Sequence, residues 1–223
     1  MTFSIAARCT ASEEVGIVIA SSSICVASRC AFVRTGVGAA LTQNVTDPCL
    51  GPAVLDAMEQ GNGAVNALAK VISTAHQSQW RQLLAIGRTG AGAICSGEKM
   101  LGIHAEAYGK DCVAAGNLLS NESVPGAMVS GFEQASGPLA EKLLTALEAA
   151  LDAGGEMGSV RSAGLLVAGR ATWPHVDLRV DWSEQPVEAL RAHWQVYASQ
   201  LEDYLTRAND PDAAPAYGVP GNL

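Results

Sequence analysis

Thr2 is the residue of this sequence that most directly suggests chemistry. It follows Met1, and a small second residue favours removal of the start methionine, which leaves the threonine hydroxyl beside its own α-amine. An α-amine has a pKa of about 7.7–8.0, so a useful fraction is neutral at cellular pH and can act as a base. Hydroxyl nucleophiles need such a base, and threonine with its own amino terminus is a recognised pairing. The competing interpretation is an ordinary threonine in a first strand.

Two further side chains could complete a reaction at Thr2. Arg34 lies in a strand region, and a guanidinium orients carboxylate substrates or stabilises developing negative charge. Asn117 ends a predicted strand, where its side-chain amide could donate to an oxyanion. Each has a structural alternative, because arginine is common at strand ends and asparagine is common in turns.

The candidate substrate-binding residues are polar positions on predicted strands. Asp177 and Arg179 alternate with apolar residues, so they share one strand face and form a charge-paired row with Asp181. Structural pairing is the favoured interpretation of that row, and ligand binding is the alternative. The other candidates are Ser4, Ser21 and Thr42.

No metal or cofactor is expected. The four histidines show no paired ligand spacing, and the glycine-rich stretch 87–92 lacks the spacing of a phosphate-binding loop. His104 and Glu106 form a weak candidate acid–base pair, since residues two apart on a strand share a face. None of the six cysteines belongs to a C-x-x-C pair. A thiol enzyme needs a cysteine beside a histidine, and because no such pair is close in sequence, this interpretation ranks last.

Charge and composition limit the partners. The net charge of −8 argues against nucleic acid and anionic membranes, which both call for basic patches. Arg8 interrupts the only early apolar stretch, so we expect no secretory leader and a cytoplasmic protein. The expected partner is a small-molecule substrate or ligand.

Strands arrive in groups, separated by helix pairs. This order favours an α+β fold of stacked antiparallel sheets with helices outside, rather than a doubly wound sheet. We predict a single domain over residues 1–207 and an extended or disordered tail over 208–223. One long final helix is expected to begin after Ser183 and to run past Tyr204. Its apolar seam packs on the sheet or, as the alternative, on a second subunit of a homodimer.

Short motifs along nearly the whole chain together resemble one family. They are Thr2-Phe3-Ser4-Ile5, Gly16-Ile17-Val18-Ile19-Ala20-Ser21, Gly36-Val37-Gly38-Ala39, Gly51-Pro52, Gly116-Asn117-Leu118-Leu119 and Asp177-Leu178-Arg179-Val180-Asp181. Their order and spacing resemble the uncharacterised family called domain of unknown function 1028, which is grouped with the Ntn (N-terminal nucleophile) hydrolases. The resemblance implies a four-layer αββα sandwich and, by superfamily analogy, an amide-bond hydrolase that uses residue 2.

Two functions remain open. In the first, Met1 is removed, Thr2 attacks a small amide or peptide-like substrate, Asn117 or backbone N–H groups hold the oxyanion, and Arg34 orients the substrate. In the second, the protein is a non-catalytic member of the fold that binds a small metabolite or serves as an assembly subunit. A retained Met1 favours the second function, because it denies Thr2 a free amine.

Overall fold

Ten strands and seven helices follow one another along the part of the chain that the structure describes. The structure is a computed structural model that describes residues 1–221. The strands are β1 (Thr2–Cys9), β2 (Glu14–Ser21), β3 (Ala31–Arg34), β4 (Gly38–Asn44), β5 (Arg81–Gly87), β6 (Ala93–Ser96), β7 (His104–Gly109), β8 (Cys112–Asn117), β9 (Ser162–Ala168) and β10 (Val176–Val180). The helices are α1 (Val26–Cys30), α2 (Leu50–Glu59), α3 (Ala64–Thr74), α4 (Val124–Gln134), α5 (Leu139–Asp152), α6 (Pro186–Ala198) and α7 (Leu201–Asn209).

The strands form two antiparallel sheets that stack face to face. The larger sheet has six strands in the order β10-β9-β2-β1-β8-β7, and the smaller sheet has four in the order β3-β4-β5-β6. Helices α4, α5 and α6 cover the outer face of the larger sheet, while α2 and α3 cover the outer face of the smaller one. The expected four-layer αββα sandwich is therefore confirmed.

Side-chain alternation in β1 places two kinds of residue on its two faces. Phe3 and Ile5 are fully buried in the core between the larger sheet and its helices, whereas Ala6 lies in the core between the two sheets. Thr2 and Ser4 share the face of Ala6, because successive side chains of a strand point to opposite sides. This alternation brings the two polar residues of β1 into the layer between the sheets.

Burial of aliphatic side chains stabilises the outer layers. In α5, Leu139, Leu143 and Leu147 recur every four residues and are buried against β1 and β2. Each such leucine contributes about 1.5–3 kcal/mol relative to an exposed one. Gly154 and Gly155 follow this helix with positive φ angles of 114° and 55°, so the chain reverses sharply there and passes back along β1.

The end of the chain differs from the sequence-based expectation. The prediction of a single long final helix was wrong, because α6 ends at Ala198 and α7 begins at Leu201. Trp194 of α6 is buried against the larger sheet, and Tyr197 stacks on Tyr204 across the break. Within the predicted tail, residues 211–213 form a short 3-10 turn, and residues 222 and 223 lie outside the described part.

Two shorter elements lie near the strands of the core. Strand β7 carries exposed His104, Glu106 and Tyr108 on one face, as an edge strand allows. Helix α1 is a short segment of five residues between the sheets, too short to show a helical period. Within residues 1–221, no helix combines the length and the apolar character needed to cross a membrane.

Candidate active site

A row of polar side chains crosses the larger sheet at one end of the sandwich. Thr2 pairs with Asn117 on one side, and Asn117 in turn pairs with His104 on the edge strand. On the other side the Thr2 hydroxyl lies 3.4 Å from the Ser21 hydroxyl, and Ser21 pairs with Ser162. Residues paired across antiparallel strands point to the same face, so all five point towards the smaller sheet.

A second polar row on the smaller sheet faces the first. Gln43 and Gln82 are fully buried, and Gln43 Nε2 donates to Gln82 Oε1 at 2.7 Å. Ser4 Oγ donates to Gln43 Oε1 at 2.8 Å, and Asn117 Nδ2 donates to Gln82 Oε1 at 3.1 Å. Buried polar groups are costly unless they are hydrogen-bonded, so this network holds the two sheets in register and fixes Asn117.

Asn117 keeps hydrogen-bonding capacity beyond that network. Its Oδ1 atom is buried and has no hydrogen-bond partner among residues 1–221. One of its two amide hydrogens serves Gln82, which leaves the second amide hydrogen for another acceptor. Asn117 therefore has one acceptor atom and one amide hydrogen that the bond to Gln82 does not use.

The carbonyl oxygen of Met1 lies within hydrogen-bond distance of two hydroxyl groups. Ser21 Oγ donates to it. Thr2 Oγ1 is within hydrogen-bond reach of both this oxygen and Ser21 Oγ, and its single proton serves one of the two at a time. The amide of Ser23 donates to Ser21 Oγ at 3.0 Å. That bond uses a lone pair of Ser21 and directs its proton towards the carbonyl oxygen. Two hydroxyl groups from neighbouring strands therefore converge on one carbonyl oxygen.

Glu156 is a buried carboxylate beside this group of hydroxyls. It is only 5% exposed, and its Oε1 atom accepts the Ser22 amide at 2.9 Å. Its Oε2 atom has no hydrogen-bond partner within the described residues. The Ser22 hydroxyl is nevertheless close enough to favour the charged form of Glu156. Burial raises the pKa of Glu156 to about 7, against the opposing influence of Ser22 and of the amino terminus.

The chain around Glu156 runs alongside the start of β1. A Cβ atom added to Gly155 would lie 3.4 Å from the Phe3 ring, and one added to Gly158 would lie 3.6 Å from the sulfur of Met1. Glu156 lies between these two contacts and forms an isolated bridge with Leu119, just after β8. Burial lowers the pKa of the Met1 α-amine, while Glu156 acts in the opposite direction.

The structure brings some of the predicted site residues together and separates the others. Thr2, Ser4, Ser21 and Asn117 lie in one cluster. Thr42 faces the helix side of its sheet, because it alternates with Gln43, and its hydroxyl donates to the Asp47 carbonyl at 3.2 Å. It therefore lies on the far side of the smaller sheet from Thr2.

The predicted charged residues lie elsewhere. Arg34 pairs with Asp56 and Glu59, each at 2.8 Å, at the end of the smaller sheet opposite to Gln43. Asp177 and Arg179 form an ion pair of 2.7 Å on β10, three strands away from β1. Together with Arg34 they line a surface groove of about 240 Å³. The structure therefore places these three side chains with one another and not with Thr2.

Several residues of the cluster were missed by sequence reasoning. Gln43 and Gln82 gave one usable signal, a polar residue at an inward position of an otherwise apolar strand. Glu156 gave none, because it follows a glycine pair in a loop and only the folded chain buries it. His104 was proposed with Glu106, and both are exposed on β7; His104 lies two strands, about 10 Å, from Thr2.

A family model and a solved structure of the same family each match most of the chain. The model of the family described as "Family of unknown function (DUF1028)" matches residues 2–190. The crystal structure of protein SPO2555 from Silicibacter pomeroyi, titled as a member of the same family model, is 28% identical with a TM-score of 0.85 and covers 92% of this chain and 94% of that one. Anbu (ancestral beta-subunit) from Yersinia bercovieri is 9% identical with a TM-score of 0.38, covering 90% and 96%. No curated protein matches the chain.

Proposed function

The chain belongs to the DUF1028 family, whose function is unknown, and from that premise we propose that it is an Ntn-type amidohydrolase acting on a small amide or peptide-like substrate. The nucleophile is Thr2, once the peptide bond in front of it has been cut. The observation that carries the proposal is the pair of hydroxyls, Thr2 and Ser21, that already converge on one carbonyl oxygen in a buried polar cluster.

The reaction follows from the groups around Thr2. The α-amine takes the proton of the Thr2 hydroxyl, whose oxygen attacks the carbonyl carbon of the amide. The Ser21 hydroxyl and the second amide hydrogen of Asn117 donate to the oxyanion that develops. The proton passes to the leaving amine as the carbon–nitrogen bond breaks, and water then hydrolyses the ester on Thr2.

Arg34 has no part in this proposal. Its guanidinium is engaged by Asp56 and Glu59 at the other end of the sandwich, and β1 alone spans about 20 Å between its ends. Asp177 and Arg179 satisfy each other and are likewise left out.

A non-catalytic role in ligand binding or assembly is the second candidate. It applies to a chain that keeps Met1, whose carbonyl accepts the Thr2 hydroxyl and whose peptide bond occupies the Thr2 nitrogen. A chain that keeps this bond has no free α-amine on Thr2, and the hydroxyl then lacks its base.

The state of the bond before Thr2 decides between the two candidates. Intact mass spectrometry of protein purified from its native host measures the fraction that begins at Thr2. Brief treatment with periodate provides an independent check, because it cleaves the 1,2-amino alcohol of an N-terminal threonine and leaves an acylated threonine intact. We expect a chain that begins at Thr2 and is oxidised there. If all of the purified protein retained residue 1, the N-terminal threonine mechanism would be excluded.

A further inference from the structure

Met1 shows how an acyl group lies at the candidate active site. Its carbonyl oxygen accepts the hydroxyl protons of Thr2 and Ser21, and its sulfur lies near Gly158. The acyl group that an amidohydrolase transfers to Thr2 must place its carbonyl beside the same two hydroxyls. The contacts of Met1 therefore describe the subsite that the acyl part of a substrate would use.

Attack of Thr2 on Met1 and attack of Thr2 on a methionyl substrate would give the same product. If Thr2 Oγ1 attacked the Met1 carbonyl carbon, a carbon–oxygen bond would form and the carbon–nitrogen bond to Thr2 would break. The hydroxyl proton would move to the Thr2 nitrogen, which would become a free amine. The product is a methionyl ester on Thr2. Attack of a free N-terminal Thr2 on a methionyl amide gives the same ester, with the amine as leaving group.

Glu156 is the buried carboxyl group next to this position. The segment from Gly155 to Gly158 runs along Met1 and Phe3, and Ser22, whose amide binds Glu156, adjoins the Ser21 that holds the Met1 carbonyl. One carboxylate oxygen of this buried side chain is left without a hydrogen-bond partner in residues 1–221. A buried carboxylate with free lone pairs is costly, and a cationic ligand would offset that cost.

The Met1 α-amine already interacts with this carboxylate. Glu156 raises the pKa of that amine and the amine lowers the pKa of Glu156, although burial dominates both. The interaction acts through space, without a direct ion pair between these two described groups.

On the basis of the proposed function, we propose that the substrates are α-aminoacyl amides, which carry a free α-ammonium group on the acyl side, and that Glu156 is the residue that recognises this group. The acyl side chain would lie where that of Met1 lies, beside Gly158. Met1 is 39% exposed, so this position is open to solvent and accepts side chains of different lengths.

Two chromogenic amides that differ only in the α-amine test the inference. Protein that begins at Thr2 is assayed with L-methionine p-nitroanilide and with N-acetyl-L-methionine p-nitroanilide. We expect kcat/KM to favour the free amine by about 10- to 100-fold, as for one charge-assisted hydrogen bond. In Glu156→Gln this ratio should fall to about 1, whereas Glu122→Gln, which removes an exposed carboxylate from the same end, should keep it.

The outcomes separate the inference from the proposed function. Equal cleavage of the two amides by the wild type overturns the inference and leaves the amidohydrolase intact. No cleavage of any amide by periodate-reactive protein overturns the proposed function. In that case calorimetric titration with L-methioninamide and N-acetyl-L-methioninamide still tests the subsite. Binding of the first that is lost in Glu156→Gln supports the recognition of the ammonium group, and equal binding of both overturns it.

Discussion

Two glutamates, Glu14 and Glu156, are buried to nearly the same extent at opposite ends of the sandwich and differ in every other respect. Glu14 is 8% exposed and Glu156 is 5% exposed. Both oxygens of Glu14 are bound: Ser12 Oγ donates to one at 2.7 Å, and His175 Nε2 lies 3.1 Å from the other. Burial by itself would raise the pKa of Glu14, but these two partners outweigh it and the net shift is downward.

Glu156 has the opposite balance. Burial dominates, only one oxygen is bound by an amide, and the pKa rises to about 7. Burial alone therefore does not determine whether a carboxyl group is charged; the hydrogen-bond and charge partners around it also contribute. A satisfied carboxylate such as Glu14 stabilises the fold, whereas an unsatisfied one is maintained at a cost and marks the end of the molecule where a ligand is expected.

The largest expected effect is the loss of activity when Thr2 is replaced, compared with replacement of Thr10 at the opposite end of the sandwich. Thr2→Ala in protein that begins at residue 2 should lower kcat/KM for an amide by at least about 1,000-fold, because the nucleophile is lost. Thr10 lies in the exposed turn that precedes Glu14, and Thr10→Ala is the matched control. We expect its kcat/KM to be unchanged. Equal activity of the two variants would contradict the role of Thr2.

Glu156→Gln tests the cost of the unsatisfied carboxylate. The folded pKa of about 7 exceeds the unfolded value of 4.5, so the folded state binds more protons and stability falls as pH rises from 4.5 to 7. Glutamine does not ionise, so the Glu156→Gln variant does not lose stability in this pH range. We expect the variant to be more stable than the wild type by up to about 3 kcal/mol at pH 8 and equally stable at pH 4.

Urea unfolding of both proteins at the two pH values measures this difference. Glu122→Gln is again the surface control and should be neutral at both. A Glu156→Gln variant that is destabilised at pH 8 would show that the charged carboxylate is satisfied in the fold.

Glu14→Gln should act in the opposite direction. The folded pKa of Glu14 is lowered, so its contribution to stability is present above the unfolded value of 4.5 and is lost as pH falls through the folded pKa. Replacing the charge weakens the contact with buried His175, and we expect a loss of about 2 kcal/mol at pH 7. The loss should shrink in unfolding experiments below pH 4; a loss that is constant with pH would argue for a packing effect.

Arg34→Gln should have the smallest effect. Its pairs with Asp56 and Glu59 are exposed to solvent, and such pairs contribute about 0–1 kcal/mol. Because Arg34 lies far from Thr2, amidase activity should stay within about twofold of the wild type. A strong loss of activity with unchanged thermal stability would restore Arg34 to the catalytic role that the sequence suggested.

The local structure of the site strands could be read from residue order. The alternation of Thr2 and Ser4 with Phe3 and Ile5 along β1 is sufficient to place the two polar residues on the opposite face, where the structure has them. Alternation needs only the two-residue period of a strand, which the sequence carries directly. The final helix was harder, because its apolar seam continues through the break near Ser199 and gives no sign of the interruption.

Contacts between distant strands could not be predicted in the same way. Nothing local in the sequence shows that Asn117 pairs with Thr2, or that Arg34 belongs to the opposite end of the sandwich. Strand order and register determine both, and they depend on how the two sheets close over a common core.

Residue types, and the strand face that each residue occupies, can be read from the amino-acid order, because they follow from composition and local period. The chemistry of the two glutamates depends instead on the folded structure. A carboxyl pKa depends on the water that folding removes and on the partners that folding brings, and both come from distant parts of the chain. Thr2 was visible as a hydroxyl beside a chain start; the oxygen that Ser21 holds and the free lone pairs of Glu156 became visible only in the fold.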